Sequence, residues 1–76
     1  MKIEILGSGC AKCKKLARNA EKALKETGKD AKIIKVEDMV EIMERGIMLT
    51  PALAVDGKVL STGKVLSPEE IAALLR

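Results

Sequence analysis

Not one residue of this 76-residue chain is Phe, Tyr or Trp, and that absence constrains the interior more than any other feature. A core without aromatic rings has to be assembled from Ile, Leu, Val, Met and Ala. Side chains of that volume reach interior density only when regular elements stack them in layers. Tight secondary structure with little loop is therefore expected. The length sets a second limit, since a chain this short builds at most one compact core, so residues 1–76 are expected to form a single domain. Small domains commonly add a disulfide or a metal as a staple. The only candidates here are Cys10 and Cys13, and closing so short a loop would stabilise the fold only slightly.

Residues 2 to 6 read Lys-Ile-Glu-Ile-Leu, and the alternation followed by Gly7-Ser8-Gly9 predicts a strand ending in a turn. From Ala11 to Thr27 the apolar positions Cys13, Leu16, Ala17, Ala20 and Leu24 recur at helical spacing, with Gly28 as the stop. Ala31 to Val36 predicts a second strand, parallel to the first because a helix joins them. Asp38 can cap a short helix whose Met39, Ile42 and Met43 form one apolar stripe, expected in the core, and Gly46 ends it. Residues 52–55 and 58–62 flank Asp56-Gly57, a strong hairpin signal. Ser67-Pro68-Glu69-Glu70 supplies a capping box with proline at the first helical position, and Ile71, Leu74 and Leu75 give the buried face of a last helix. The expected fold is α/β, in the order β-α-β-α-β-β-α.

The net charge of +3 is modest and its basic residues are interleaved with acids. Nucleic-acid binding normally adds aromatic stacking or a dense basic stripe, so no nucleic-acid partner is expected. Lys2 and Glu4 interrupt the first apolar run, unlike a signal peptide, and no segment is long enough to span a bilayer. A cytoplasmic location without membrane association is expected, where a cysteine pair is more plausibly catalytic or metal-binding than structural. Gln and His are absent while Lys and Glu are plentiful, a composition that points toward a thermophilic source.

A Cys-x-x-Cys at the point where a strand turns into a helix has a specific chemical use. The helix amino terminus carries partial positive charge and free N–H groups, which favour a thiolate on the first cysteine. Cys10 is the expected nucleophile. Cys13, one turn further on the same face, is the expected resolving thiol, which attacks a mixed disulfide at Cys10. Lys12, Lys14 and Lys15 oppose the helix dipole where they stand. Such a local conflict is expected where function demands it, and the Lys12 charge would favour a thiolate at Cys10, whereas Lys14 and Lys15 fit an ordinary solvated face equally well.

Cys10-Ala11-Lys12-Cys13 after the first strand, Thr50-Pro51 before the third, and the Asp56-Gly57 hairpin together resemble the thioredoxin and glutaredoxin superfamily. The likeness is nearest to the short archaeal and bacterial thioredoxin-like proteins called small redox-active disulfide proteins, and it covers essentially the whole chain. The resemblance implies a four-stranded mixed sheet in order 2-1-3-4 with the last strand antiparallel, and three helices. It implies a cis peptide before Pro51, with that proline facing the two sulfurs. It also implies that Thr50 offers backbone groups to an extended substrate and that Gly63 leaves room for substrate to approach. The implied activity is protein-disulfide oxidoreduction without a cofactor or metal, exchanging electrons with protein disulfides and with a dithiol or flavin-dependent reductase. Two departures matter. Ala11-Lys12 replaces the Gly-Pro of thioredoxins and no Trp precedes Cys10, so the potential stays open between about −270 and −180 mV. Lys64 follows Gly63 where glutaredoxins tend to carry an acid for glutathione, which argues against glutathione as substrate.

By the same resemblance Glu4, on the first strand, would be a buried acid that takes the proton of Cys13, with a raised pKa suited to that work. The alternation of the strand allows a different reading, in which Lys2 and Glu4 share a face and both reach solvent. Ile47, Met48 and Leu49 lead toward Pro51, so part of that apolar run is a candidate docking surface beside Cys10. The rival from another class is a ferredoxin-like copper carrier, which also places Cys-x-x-Cys at a first strand-to-helix junction but runs β-α-β-β-α-β. A zinc site shared between two chains would need further Cys or His, which this sequence lacks.

Overall fold

Glycines and capping side chains mark where the elements stop. In the computed structural model, which describes residues 1–76, these are β1 (Lys2–Leu6), α1 (Ala11–Thr27), β2 (Lys32–Val36), α2 (Met39–Glu44), β3 (Ala52–Val55), β4 (Lys58–Thr62) and α3 (Pro68–Leu75). Gly28 ends α1 in the left-handed conformation and returns its N–H to the Leu24 carbonyl. Asp38 caps α2 by accepting from the Val40 N–H, and Ser67 and Glu70 complete a reciprocal capping box on α3. At the hairpin both Asp56 and Gly57 have positive φ, as a two-residue turn matched to strand twist requires.

The strands form one sheet in the order β2-β1-β3-β4. β1 runs parallel to β2 and antiparallel to β3, and β4 runs antiparallel to β3. This is the thioredoxin-like arrangement, and α2 between β2 and β3 departs from the β-α-β-β-α-β order of the copper carriers. Strand alternation then sorts the core. Ile3, Ile5 and Leu53 pack with Leu16, Ala17, Ala20 and Ile71 on the face covered by α1 and α3. Leu6, Ala52 and Ala54 pack with Val36, Ile42 and Ile47 on the face covered by α2. No helix is long and apolar enough to cross a membrane.

Two expectations about the helices fail. Ile42 alone of the α2 stripe is buried, while Met39 and Met43 are 50% and 70% exposed. Six residues make fewer than two turns, so α2 aims one side chain squarely at the sheet, and Ile47 from the following loop fills the space beside it. On α3 the buried stripe is Ile71, Ala72 and Leu75, and Leu74 is turned outward. Ala72 belongs to the same buried cluster as Leu16, Ala17 and Ala20 of α1.

Glu4 shares the α2 face with Leu6 but is 3% exposed. Its carboxylate accepts two hydrogen bonds from Arg45, Nη1 to Oε1 at 2.7 Å and Nη2 to Oε2 at 2.6 Å. The Arg45 guanidinium also reaches Glu41 at 3.4 Å. This fork ties the end of α2 to the central strand. Those hydrogen bonds hold the Glu4 pKa below its ordinary value against the opposing effect of burial, with the positive charges of Arg45 and Lys2 adding to the lowering. A depressed carboxylate pKa contributes stability that is complete above the unfolded value near 4.3 and is lost as pH falls through the folded value. Glu4→Gln is accordingly expected to cost about 2 kcal/mol near pH 7, less than a wholly buried pair because Arg45 is partly solvated. In denaturant titrations at several pH values, that cost should shrink as pH falls below about 4.

Candidate active site

The loop from β1 to α1 has to turn within four residues, and two glycines make that possible. Gly7 continues the alternation of Ile3 and Ile5 toward α1, and a Cβ placed on it would collide with the sulfur of Cys13. The missing side chain is the seat into which Cys13 fits. Gly9 follows with φ at 81°, a backbone that favours glycine. Cys10 then occupies the N-cap of α1 in extended conformation.

The two thiols are 3.1 Å apart, Sγ to Sγ. Cys10 is exposed and Cys13 is 5% exposed. This difference separates their acidities. The hydrogen bond with the Cys13 thiol, followed by backbone N–H groups including those of Cys13 and Lys12, draws the Cys10 pKa below that of a free thiol. Burial, together with that same contact, pushes the Cys13 pKa up. Lys12 thus assists Cys10 through its backbone amide in the first helical turn, where the sequence suggested its ammonium.

The segment carrying Pro51 closes the site on the side of β3. The Thr50–Pro51 peptide is cis, Pro51 is buried, and its Cα lies against the same Gly7 that seats Cys13. Thr50 is exposed beside it. The Gly63 N–H donates to the Pro51 carbonyl at 2.9 Å, which ties this segment to the end of β4. The space above Gly63 is occupied by Leu49, whose Cβ would lie 3.1 Å from an added Cβ. Gly63 therefore makes room first for Leu49, and the exposed side of that leucine forms the surface expected to be left open. Of the apolar run, Ile47 is buried while Met48 and Leu49 are 93% and 64% exposed.

Glu4 is buried, as the resemblance implied, but without the raised pKa expected of it. It does not reach solvent, and its pKa is lowered where a proton acceptor in a buried site would have it raised. The reason is Arg45, which engages both carboxylate oxygens, and alternation puts Glu4 on the α2 face of β1 while Cys13 lies on the α1 face. Arg45 itself carried no sequence signal beyond being a lone arginine at the end of a short helix. Glu37 was missed as well. It follows β2, and the parallel register of β1 with β2 brings it alongside the Gly7–Gly9 turn. A cleft of about 220 Å³ there is lined by Ile5, Gly7, Gly9, Cys13, Lys14, Lys35 and Glu37. For a metal, Cys10 and Cys13 are the only thiol donors, and no three His, Cys, Asp or Glu side chains gather anywhere in the chain.

The thioredoxin domain family matches residues 1–76. A relative named thioredoxin from Methanothermobacter thermautotrophicus is 48% identical over 75 residues, which is 99% of this chain and 97% of that protein. A second, also named thioredoxin, from Methanocaldococcus jannaschii, is 45% identical over 69 residues, covering 91% of this chain and 79% of that protein.

The unequal thiols give a direct expectation. Iodoacetamide should label Cys10 many times faster than Cys13, with a rate that titrates below the free-thiol value of about 8.5. Peptide mapping of partially alkylated protein across pH reads both sites at once, and preferential labelling of Cys13 would contradict the assignment.

Proposed function

Because the chain belongs to the thioredoxin domain family, we propose that it is a thiol-disulfide oxidoreductase that reduces protein disulfides through Cys10 and Cys13. The observation that carries this reading is the pairing of an exposed, acidified thiol at a helix start with a buried thiol 3.1 Å away. In the first step the Cys10 thiolate attacks a substrate disulfide, forming a mixed disulfide and releasing one substrate thiolate. Cys13 then attacks the Cys10 sulfur, breaking the mixed disulfide and releasing the second substrate thiolate. The protein is left with a Cys10–Cys13 disulfide, having given two electrons, and a dithiol or flavin-dependent reductase restores the dithiol in a reducing cytosol.

Geometry supports the supporting roles. Thr50 is exposed next to buried Pro51, which leaves its backbone free to pair with an extended substrate segment. Met48 and Leu49 supply an apolar rim on the same side, with Gly63 beneath Leu49. Lys64 stands next to Gly63, which disfavours the glutathione specificity of glutaredoxins. Residues 1–76 act in this reading as one domain.

A Cys13→Ser variant should accumulate substrates as mixed disulfides on Cys10, because formation is retained and resolution is lost. Cys10→Ser should trap none. Non-reducing gels with mass spectrometry of the captured species make the comparison. Tight copper(I) binding by wild-type protein that never forms a reversible Cys10–Cys13 disulfide would favour a carrier instead.

A further inference from the structure

With Glu4 held by Arg45 on the far face of the sheet, the buried Cys13 still has to lose a proton before it can attack. One carboxylate shares its surroundings. A Cβ placed on Gly9 would overlap Oε2 of Glu37, so the Glu37 carboxylate rests directly over the turn that precedes Cys10. Gly7, two residues earlier in the same turn, seats the Cys13 sulfur. The turn is thus flanked by the thiol at Gly7 and by the carboxylate at Gly9. Both side chains line the cleft described above, which is large enough for several ordered waters. Glu37 makes no hydrogen bond or ion pair with any protein group, so its oxygens are free for water.

We propose that Glu37, held over Gly9 at the mouth of the Cys13 cleft, is the proton acceptor for the resolving thiol, acting through water in that cleft. The inference rests on the oxidoreductase reading above. As Cys13 attacks, its S–H proton passes through water to Glu37 while the Cys13–Cys10 bond forms and the bond from Cys10 to substrate breaks. The departing thiolate carries the electron pair, and Glu37 returns the proton to solvent or to that thiolate. No further oxidant or reductant is needed. The absence of a side chain at Gly7 and at Gly9 serves one end, since the first seats the thiol and the second admits the carboxylate.

The cleft has a charged environment that must be separated from proton transfer. Lys14 from α1 and Lys35 from β2 line it, and Cys10 lies beside Cys13. Removing the Glu37 charge leaves these cations unopposed and favours a thiolate at Cys13, so a purely electrostatic role for Glu37 requires the variant to resolve faster. A proton-accepting role requires it to resolve more slowly. The signs are opposite.

The test uses the full chain, reduced, in single-turnover stopped flow with an equimolar aromatic disulfide whose released thiolates are coloured. The first release reports attack by Cys10 and the second reports resolution by Cys13. Near pH 7, Glu37→Gln should leave the first within about twofold and slow the second roughly tenfold, the lower side of general-base effects because water intervenes. The gap should close as pH rises and Cys13 ionises unaided, and Glu37→Asp should recover part of the rate. An unchanged or faster second release in Glu37→Gln, or equal slowing of both at every pH, overturns the proposal. If wild-type protein itself gives a first release and never a second, the oxidoreductase reading fails, and the two failures are thereby told apart.

Discussion

The seat of the Cys13 sulfur over Gly7 sets how closely the first turn of α1 can lie against the end of β1. Any side chain at Gly7 would lift the helix, and with it both thiols. Everything at the site depends on that approach. It places Cys10 at the N-cap of α1, buries Cys13 one turn later, and brings Pro51 against the same glycine from β3. The aliphatic core behind it is the complement of this geometry. Ile3, Ile5, Leu16 and Leu53 fill the layer under α1 with no ring to accommodate, so a short loop of small residues is sufficient to join sheet to helix.

The sheet also divides the carboxylates by duty. On the α2 face Glu4 is buried, doubly hydrogen-bonded to Arg45 and held ionised, which makes it a structural anion that pins a six-residue helix. On the α1 face Glu37 is exposed, unpaired and next to the cleft that contains Cys13. A carboxylate already satisfied by a bidentate guanidinium is a poor proton acceptor. Burial alone therefore does not identify the base in a site of this kind; the partner of each carboxylate has to be known.

Much of this molecule was legible from residue order. The bounds of β1, α1, β3 and β4, and those of β2 to within one residue, were read from alternation, helical spacing and stop signals, and the caps at Asp38 and Ser67 and the Asp56-Gly57 turn were named from their side chains. The cysteine pair at the strand-to-helix junction was equally visible, together with Pro51 and Gly63. The failures have a common form. Met39, Met43 and Leu74 fit a helical stripe but lie outward because the layer beneath had room for Ile42, Ile47 and Ala72 instead. Glu4 was singled out correctly as a residue to explain and given the wrong charge behaviour.

The sequence by itself determined the elements, their order and the place of the cysteine pair at the start of α1, because capping, turn preference and periodicity act within a few residues along the chain. Only the tertiary structure decided which carboxylate stands near which thiol, that Arg45 reaches back to Glu4, that Leu49 covers Gly63, and which of the apolar side chains on α2 and α3 are buried. Those relations join residues distant in sequence. Their energies depend on distance and solvent exclusion, which exist only after the sheet has assembled and the helices have been laid against it.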